Sequence, residues 1–124
     1  MTRLLALRNE DAPDGTTVVV RGGEMHVDVI RRAARRSFQE SGVHGVSVFL
    51  ALDEDVPALC RSVPDLARYG RIRTATVEAL RSAGFALLPT GRRPHFTVVL
   101  PDAEDSTLGR LDRSFGPPRP NPAR

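Results

Sequence analysis

Lysine is missing from the 124 residues: all 18 basic side chains are arginines, set against 15 acidic ones. An arginine-only set is what a GC-rich coding sequence produces whatever the function. The net charge of +3 and pI of about 10.3 therefore say less about partners than the places where the arginines cluster. Tryptophan is absent too, and one tyrosine and five phenylalanines are the whole aromatic complement. Most of these are wanted by a core, which disfavours a single-strand reader built on an aromatic platform. The lone Cys60 excludes an intramolecular disulfide, and no cysteine and histidine spacing makes a zinc site. No metal is expected, and Cys60 reads as a small buried hydrophobe. No apolar run approaches the roughly 20 residues that span a bilayer, and the opening MTRLLALRNED has too short an apolar segment for a secretory signal. No membrane partner and a cytoplasmic location are the expectations.

What is present is ordinary globular material. With 40% hydrophobic and 27% charged residues the chain can bury a core without disulfide or metal support. One globular domain over residues 1–115 is expected, followed by a Pro-rich tail over residues 116–124, GPPRPNPAR, which is too rich in proline to be helical.

The clearest fold signal is GFALLPTGRRPHFTVVLP, Gly84 to Pro101. Two apolar runs, Phe85 to Leu88 and Phe96 to Leu100, flank a turn-forming block from Pro89 to Pro94, the pattern of a β-hairpin with a longer loop. Alternation puts Phe96, Val98 and Leu100 on a core face and His95, Thr97 and Val99 on the other. Elsewhere, Thr16 to Arg21 and Val46 to Leu52 read as buried strands. Between them Val27, Ile30, Ala34 and Phe38 form one apolar stripe of a helix that Gly42 stops. Strand, helix and strand together predict a right-handed crossover between parallel strands. Asp53, Glu54 and Asp55 ahead of Pro57 predict a short helix to about Ser62, ended by Pro64. Thr74 or Thr76 is placed to cap a helix carrying Val77 and Leu80 and stopped by Gly84. Asp102, Glu104 and Asp105 open a last helix with Leu108, Leu111 and Phe115 on one face. Residues 1–15 and 66–76 stay open, the second as a short strand. The expected class is α/β or α+β: one two-layer domain, a mixed sheet of about four to five strands with about three to four helices packed on it.

Three places carry chemistry. VVVRGGEM sets Arg21, Gly22 and Gly23 between a strand and a helix, either a plain tight turn or one whose free N–H groups hold a phosphate. In PHFTVVL an imidazole able to exchange a proton near neutral pH, His95, shares a strand face with the hydroxyl of Thr97. Arginines cluster on the first helix at Arg31, Arg32, Arg35 and Arg36, and in the hairpin loop at Arg92 and Arg93, where they either form a solvated surface or grip nucleic-acid phosphates.

Three resemblances attach to these residues. His95 and Thr97 resemble the HxT element of 2H phosphoesterases, of which this chain has one where the family carries two. That likeness implies His95 as acid or base and Thr97 as phosphate donor, acting on RNA ends or cyclic phosphates. Arg21 followed by glycine at the end of a first strand resembles the opening of ADP-ribosyltransferases, which implies NAD as cofactor, with Tyr69, Thr74 and Glu78 as loosely matching companions. The whole string, VRGG, GVSVF, LLPT.RRPHFTV.L and a closing NP, resembles a group of small uncharacterised bacterial proteins, and implies a complete bacterial protein. The leading expectation is a small intracellular protein binding a phosphate-bearing ligand, RNA or a nucleotide, without a cofactor; a toxin-like RNA-processing enzyme with a neutralising protein neighbour is its catalytic form. An NAD-using toxin and a non-catalytic protein-interaction module are the alternatives.

Overall fold

The computed structural model describes residues 7–21 and 27–124. In chain order the elements are β1 (Thr17–Arg21), α1 (Val27–Ser41), β2 (His44–Leu50), α2 (Val56–Ser62), α3 (Pro64–Ala67), β3 (Arg71–Thr76), α4 (Val77–Ser82), β4 (Ala86–Leu88), β5 (His95–Leu100), α5 (Asp105–Ser114) and β6 (Arg119–Pro120). The class is the expected α/β one: among the described residues a single sheet of six strands, ordered β4-β5-β2-β1-β3-β6, packs with five helices, one strand and one helix more than expected.

The hairpin forms as its pattern predicts, β4 and β5 pairing antiparallel with Leu88 opposite Thr97. The crossover does not. β1 and β2 are antiparallel neighbours, as is every other paired strand. A helix between two strands predicts a parallel crossover within a mixed sheet, whose strands have both faces covered. Here the covering is done by helices on both faces of an antiparallel sheet. Val18, Val20, Val48, Phe96 and Val98 pack with Ile30, Val77, Leu80, Leu108 and Leu111 on one face. Val19 and Ile72 pack with Leu59, Cys60 and Leu66 of α2 and α3 on the other. Each fully buried side chain of this size contributes about 1.5–3 kcal/mol.

Local signals set the helix ends. Gly42, at φ 79, closes α1 with its N–H bonded to Phe38 O at 2.8 Å. Asp55 caps α2 by accepting from Ala58 N at 2.9 Å, and Thr76 caps α4 by accepting from Ala79 N at 3.1 Å. Pro64 ends one helix and opens the next. Phe38 departs from the expected stripe: it is 48% exposed and stacks on His44 at 4.4 Å between ring centroids. His44 is the first residue of β2, so Phe38 sits at the end of the strand, away from the core.

Two buried polar side chains tie the rest together. Arg73 satisfies the end of α5, donating to the carbonyls of Gly116 (2.7 Å), Asp112 (2.9 Å) and Phe115 (3.2 Å) and to the Asp112 carboxylate (2.5 Å). Asn121 donates to Leu66 O (2.8 Å) and Tyr69 O (2.7 Å) and accepts from Ala123 N (2.9 Å), so the Pro-rich tail runs extended along β3 and is anchored. Among the described residues no helix is long and apolar enough to cross a membrane.

β1 and β2 share only two paired positions, Val18↔Leu50 and Val19↔Phe49, whereas β1–β3 pair over five and β2–β5 over six. Beyond Val19 the strands part, and α1 borders the opening. Ile30 reaches the core of one face, while Ala33, Arg36 and Ser37 line a cleft on the other. Close approach of α1 to β2 requires Gly45, where a Cβ would meet Thr97 Cγ2 at 2.5 Å and Ser37 Oγ at 3.0 Å. Gly45→Ala is therefore expected to lower stability by about 1–3 kcal/mol, the ordinary cost of overpacking. Thermal melting checks it, and an unchanged melting temperature would mean that α1 is free to move off the sheet.

Candidate functional site

The cleft opened by the parting strands has a volume of about 790 Å³. Its floor is the sheet face bearing Ser47 and Phe49 of β2 and His95 and Thr97 of β5, brought side by side by the register Ser47↔Thr97 and Phe49↔His95. Arg32, Arg36 and Glu40 come from α1, and Arg21, Asp65 and Arg68 from the end of β1 and from the α3 region. The fold thus brings together three of the expected sites: the strand histidine, part of the helical arginine cluster, and Arg21.

His95 is held by its own turn. Its Nδ1 lies 3.0 Å from the Thr90 carbonyl oxygen and 3.1 Å from Thr90 Oγ1. A carbonyl oxygen can only accept, so Nδ1 carries the proton, and Nε2 is the ring nitrogen without a hydrogen-bond partner among the described residues. Thr90 Oγ1 also lies 2.6 Å from Thr97 Oγ1, both threonines being buried. The Thr97 hydroxyl therefore belongs to a chain that steadies His95. Phe49 meets the imidazole edge-on at 5.3 Å.

The turn is in turn held by Arg8. Its Nη1 donates to Thr90 O (2.7 Å) and Gly91 O (2.9 Å), its Nη2 to His95 O (3.0 Å), and its guanidinium pairs with Glu10 at 3.1 Å and lies over the Phe96 ring. Glu10 also takes the Arg93 guanidinium, and that hydrogen bond, assisted by Arg8 and opposed by burial, holds its carboxyl below the usual range. Arg93 reaches Asp53 as well, so it braces the back of the turn and does not enter the cleft.

The remaining expected residues divide in the same way. Arg31 is paired with Asp28 at 2.8 Å and with Asp105 of α5. Arg35 and Arg92 are exposed and do not line the cleft. Arg21, Arg32 and Arg36 do, and among the described residues none of the three meets a carboxylate within 4.0 Å. The Gly22–Gly23 turn lies outside the described residues. Of the companions in the ADP-ribosyltransferase likeness, Tyr69 accepts from Arg21 at 2.8 Å, whereas Glu78 opens α4 beside Thr76, which pairs with Thr17 at the far end of β1 from Arg21. Among the described residues no group of three His, Cys, Asp or Glu side chains is placed to hold a metal ion. Cys60 is fully buried, and burial pushes its thiol up and away from reactivity.

Thr90, Arg8, Ser47 and Arg68 are site residues that sequence patterning did not single out. Ser47 alone left a trace, as the polar break in the apolar run GVSVF. No protein-family model matches the chain, and neither a curated protein nor a solved structure does.

Two expectations follow from this geometry. Arg8→Met should loosen the His95 turn and lower stability by about 2 kcal/mol, because three carbonyls lose a charged donor. Arg8→Lys should not restore it, since an ammonium lacks the planar fork; full recovery by lysine would leave only charge as the cause. The second concerns Tyr69, whose Oη accepts from Arg21 at 2.8 Å and from Arg68 at 3.5 Å. Burial raises its phenol, but the hydrogen bonds and charges of the two arginines outweigh this and lower it. The folded protein then releases this proton at lower pH than the unfolded chain. Its stabilising effect grows as pH rises through the alkaline range and is absent below the folded-state value. Absorbance titration near 295 nm should show early ionisation that Arg21→Ala moves upward; an unmoved curve would remove Arg21 as the cause.

Proposed function

We propose that the cleft binds a phosphate-bearing ligand, an RNA or a nucleotide, and that His95 exchanges a proton with it. The observation that carries this reading is that Arg21, Arg32 and Arg36, none with a carboxylate partner among the described residues, line the same cleft as a histidine whose Nδ1 is already fixed. Guanidiniums gathered in a concave site and outnumbering its carboxylates, Glu40 and Asp65, favour an anion, and their planar forks suit phosphate oxygens. A volume of about 790 Å³ lies within the range of small-ligand sites. His95 Nε2 is the proton-exchanging atom; with Nδ1 tied to a backbone carbonyl the ring keeps one tautomer and one orientation through the exchange. A toxin-like RNA-processing enzyme is the activity that fits such a site, and a neutralising protein neighbour is the partner that would accompany it.

The test compares two pairs of arginines. Arg32→Ala with Arg36→Ala should weaken binding of a nucleotide or short RNA at least tenfold and flatten its dependence on salt. Arg35→Ala with Arg92→Ala, outside the cleft, should leave both unchanged. If RNA is turned over, or growth is arrested on expression, His95→Ala should reduce the effect by a factor on the order of a hundred or more with little change in melting temperature. Equal losses from both arginine pairs would replace the cleft with a diffuse basic surface. Activity that falls only with the fraction of folded protein would make His95 structural.

A further inference from the structure

A phosphate in this cleft needs a hydroxyl donor on the floor, and Thr97 is poorly placed to be it. Thr97 is 6% exposed and its Oγ1 is turned to Thr90 at 2.6 Å. Its methyl faces across to β2, where the missing Cβ of Gly45 would lie 2.5 Å from it. Directly opposite Thr97 in the register stands Ser47, exposed, on the same sheet face and in the lining of the cleft. Directly opposed side chains have Cβ atoms about 4.5–5.5 Å apart and diagonal ones about 7–8 Å. Ser47 thus lies beside the point that His95, its diagonal neighbour, also flanks. Among the described residues the Ser47 hydroxyl has no hydrogen-bond partner in the protein, unlike Thr90 and Thr97 beside it.

Resting on the phosphate-binding reading above, we infer that Ser47 is the hydroxyl that holds the phosphate beside His95, and that the group held is a terminal phosphate monoester. Donors reach the floor from several directions. Ser47 rises from the sheet, Arg32 and Arg36 stand one turn apart on α1, about 6 Å along its axis, and Arg21 and Arg68, which share the Tyr69 hydroxyl, also line the cleft, Arg68 with Asp65 at 3.9 Å. A monoester offers three terminal oxygens and close to two charges, whereas an internal diester offers two oxygens and one charge. Glu40 and Asp65 also line the cleft. A strand threading through would carry successive phosphates past both carboxylates, while one terminal phosphate need approach neither. A free nucleotide and the phosphorylated end of an RNA share this chemistry.

Isothermal titration of the full chain at fixed salt, with melting temperature as a control for folding, separates the possibilities. The probes are a nucleoside 5′-monophosphate, the matching nucleoside, a dinucleoside monophosphate with only an internal diester, and a short RNA with and without a 5′-phosphate. The monophosphate should bind at least tenfold tighter than the nucleoside or the diester. Ser47→Ala should cost about tenfold, the worth of one hydrogen bond to a charged group, and Thr97→Val should cost less. Tighter binding of phosphorylated RNA than of the monophosphate points to RNA ends as the source, and the reverse to free nucleotide. A larger loss from Thr97→Val than from Ser47→Ala would return the role to Thr97. Equal affinity for diester and monoester would overturn the monoester class while the phosphate reading stands. Absence of binding by every probe, with Arg32→Ala and Arg36→Ala also without effect, would remove the phosphate reading itself.

Discussion

The site depends on the early separation of β1 from β2. Two strands that stayed paired along their length would present a closed sheet face to α1, with no room for a ligand. Because pairing stops after Val19 and Phe49, the sheet behaves as two half-sheets joined at one end. α1 stands at the open end, giving Ile30 to one core and arginines to the cleft. Gly45 permits the close approach, and Ser37, whose Oγ donates to Val43 O at 2.7 Å, ties the helix to the strand that follows. The apolar packing that holds the helix and the polar lining of the cleft are thus two sides of one element.

Arginine does two kinds of work here, and surroundings separate them. Arg8 and Arg73 are saturated with backbone carbonyls and a carboxylate, and they brace turns and helix ends as a buried polar network would. Arg31 and Arg93 join elements through acidic partners. Arg21, Arg32 and Arg36 line the cleft without a carboxylate partner among the described residues. A guanidinium that never loses its charge can serve as mortar or as a ligand site, and only its neighbours decide which.

Much of the fold was legible because local signals and the final packing agree. The 3.6-residue spacing of Ile30 and Ala34, the capping residues Asp55 and Thr76, the stops at Gly42 and Gly84, and the alternation of Phe96, Val98 and Leu100 all lie in short windows. Strand direction was not legible, since a run such as VSVFL is equally apolar whether its neighbour runs parallel or antiparallel. Phe38 had helical spacing but sits at the end of β2, on His44. In the candidate site, His95 stood out because a lone imidazole in an apolar strand is conspicuous. Its supports did not, because Arg8 and Thr90 act through backbone carbonyls brought near only by closure of the turn. Likewise nothing local in RRAARR distinguishes Arg32 and Arg36 from Arg31 and Arg35; the rotation of α1 over the sheet does.

The anchored tail also governs how this sheet meets other chains. β6 covers β3 with only two residues, one of them a proline without an N–H, and Asn121 then turns the chain inward. At the opposite margin β4 is three residues long, and Thr90, two positions beyond it, is bridged by Leu7. Short, proline-marked or locally occupied margins give an incoming strand little to hydrogen-bond. A sheet built this way resists edge-to-edge polymerisation at high concentration, although its central strands are among the most β-prone in the chain.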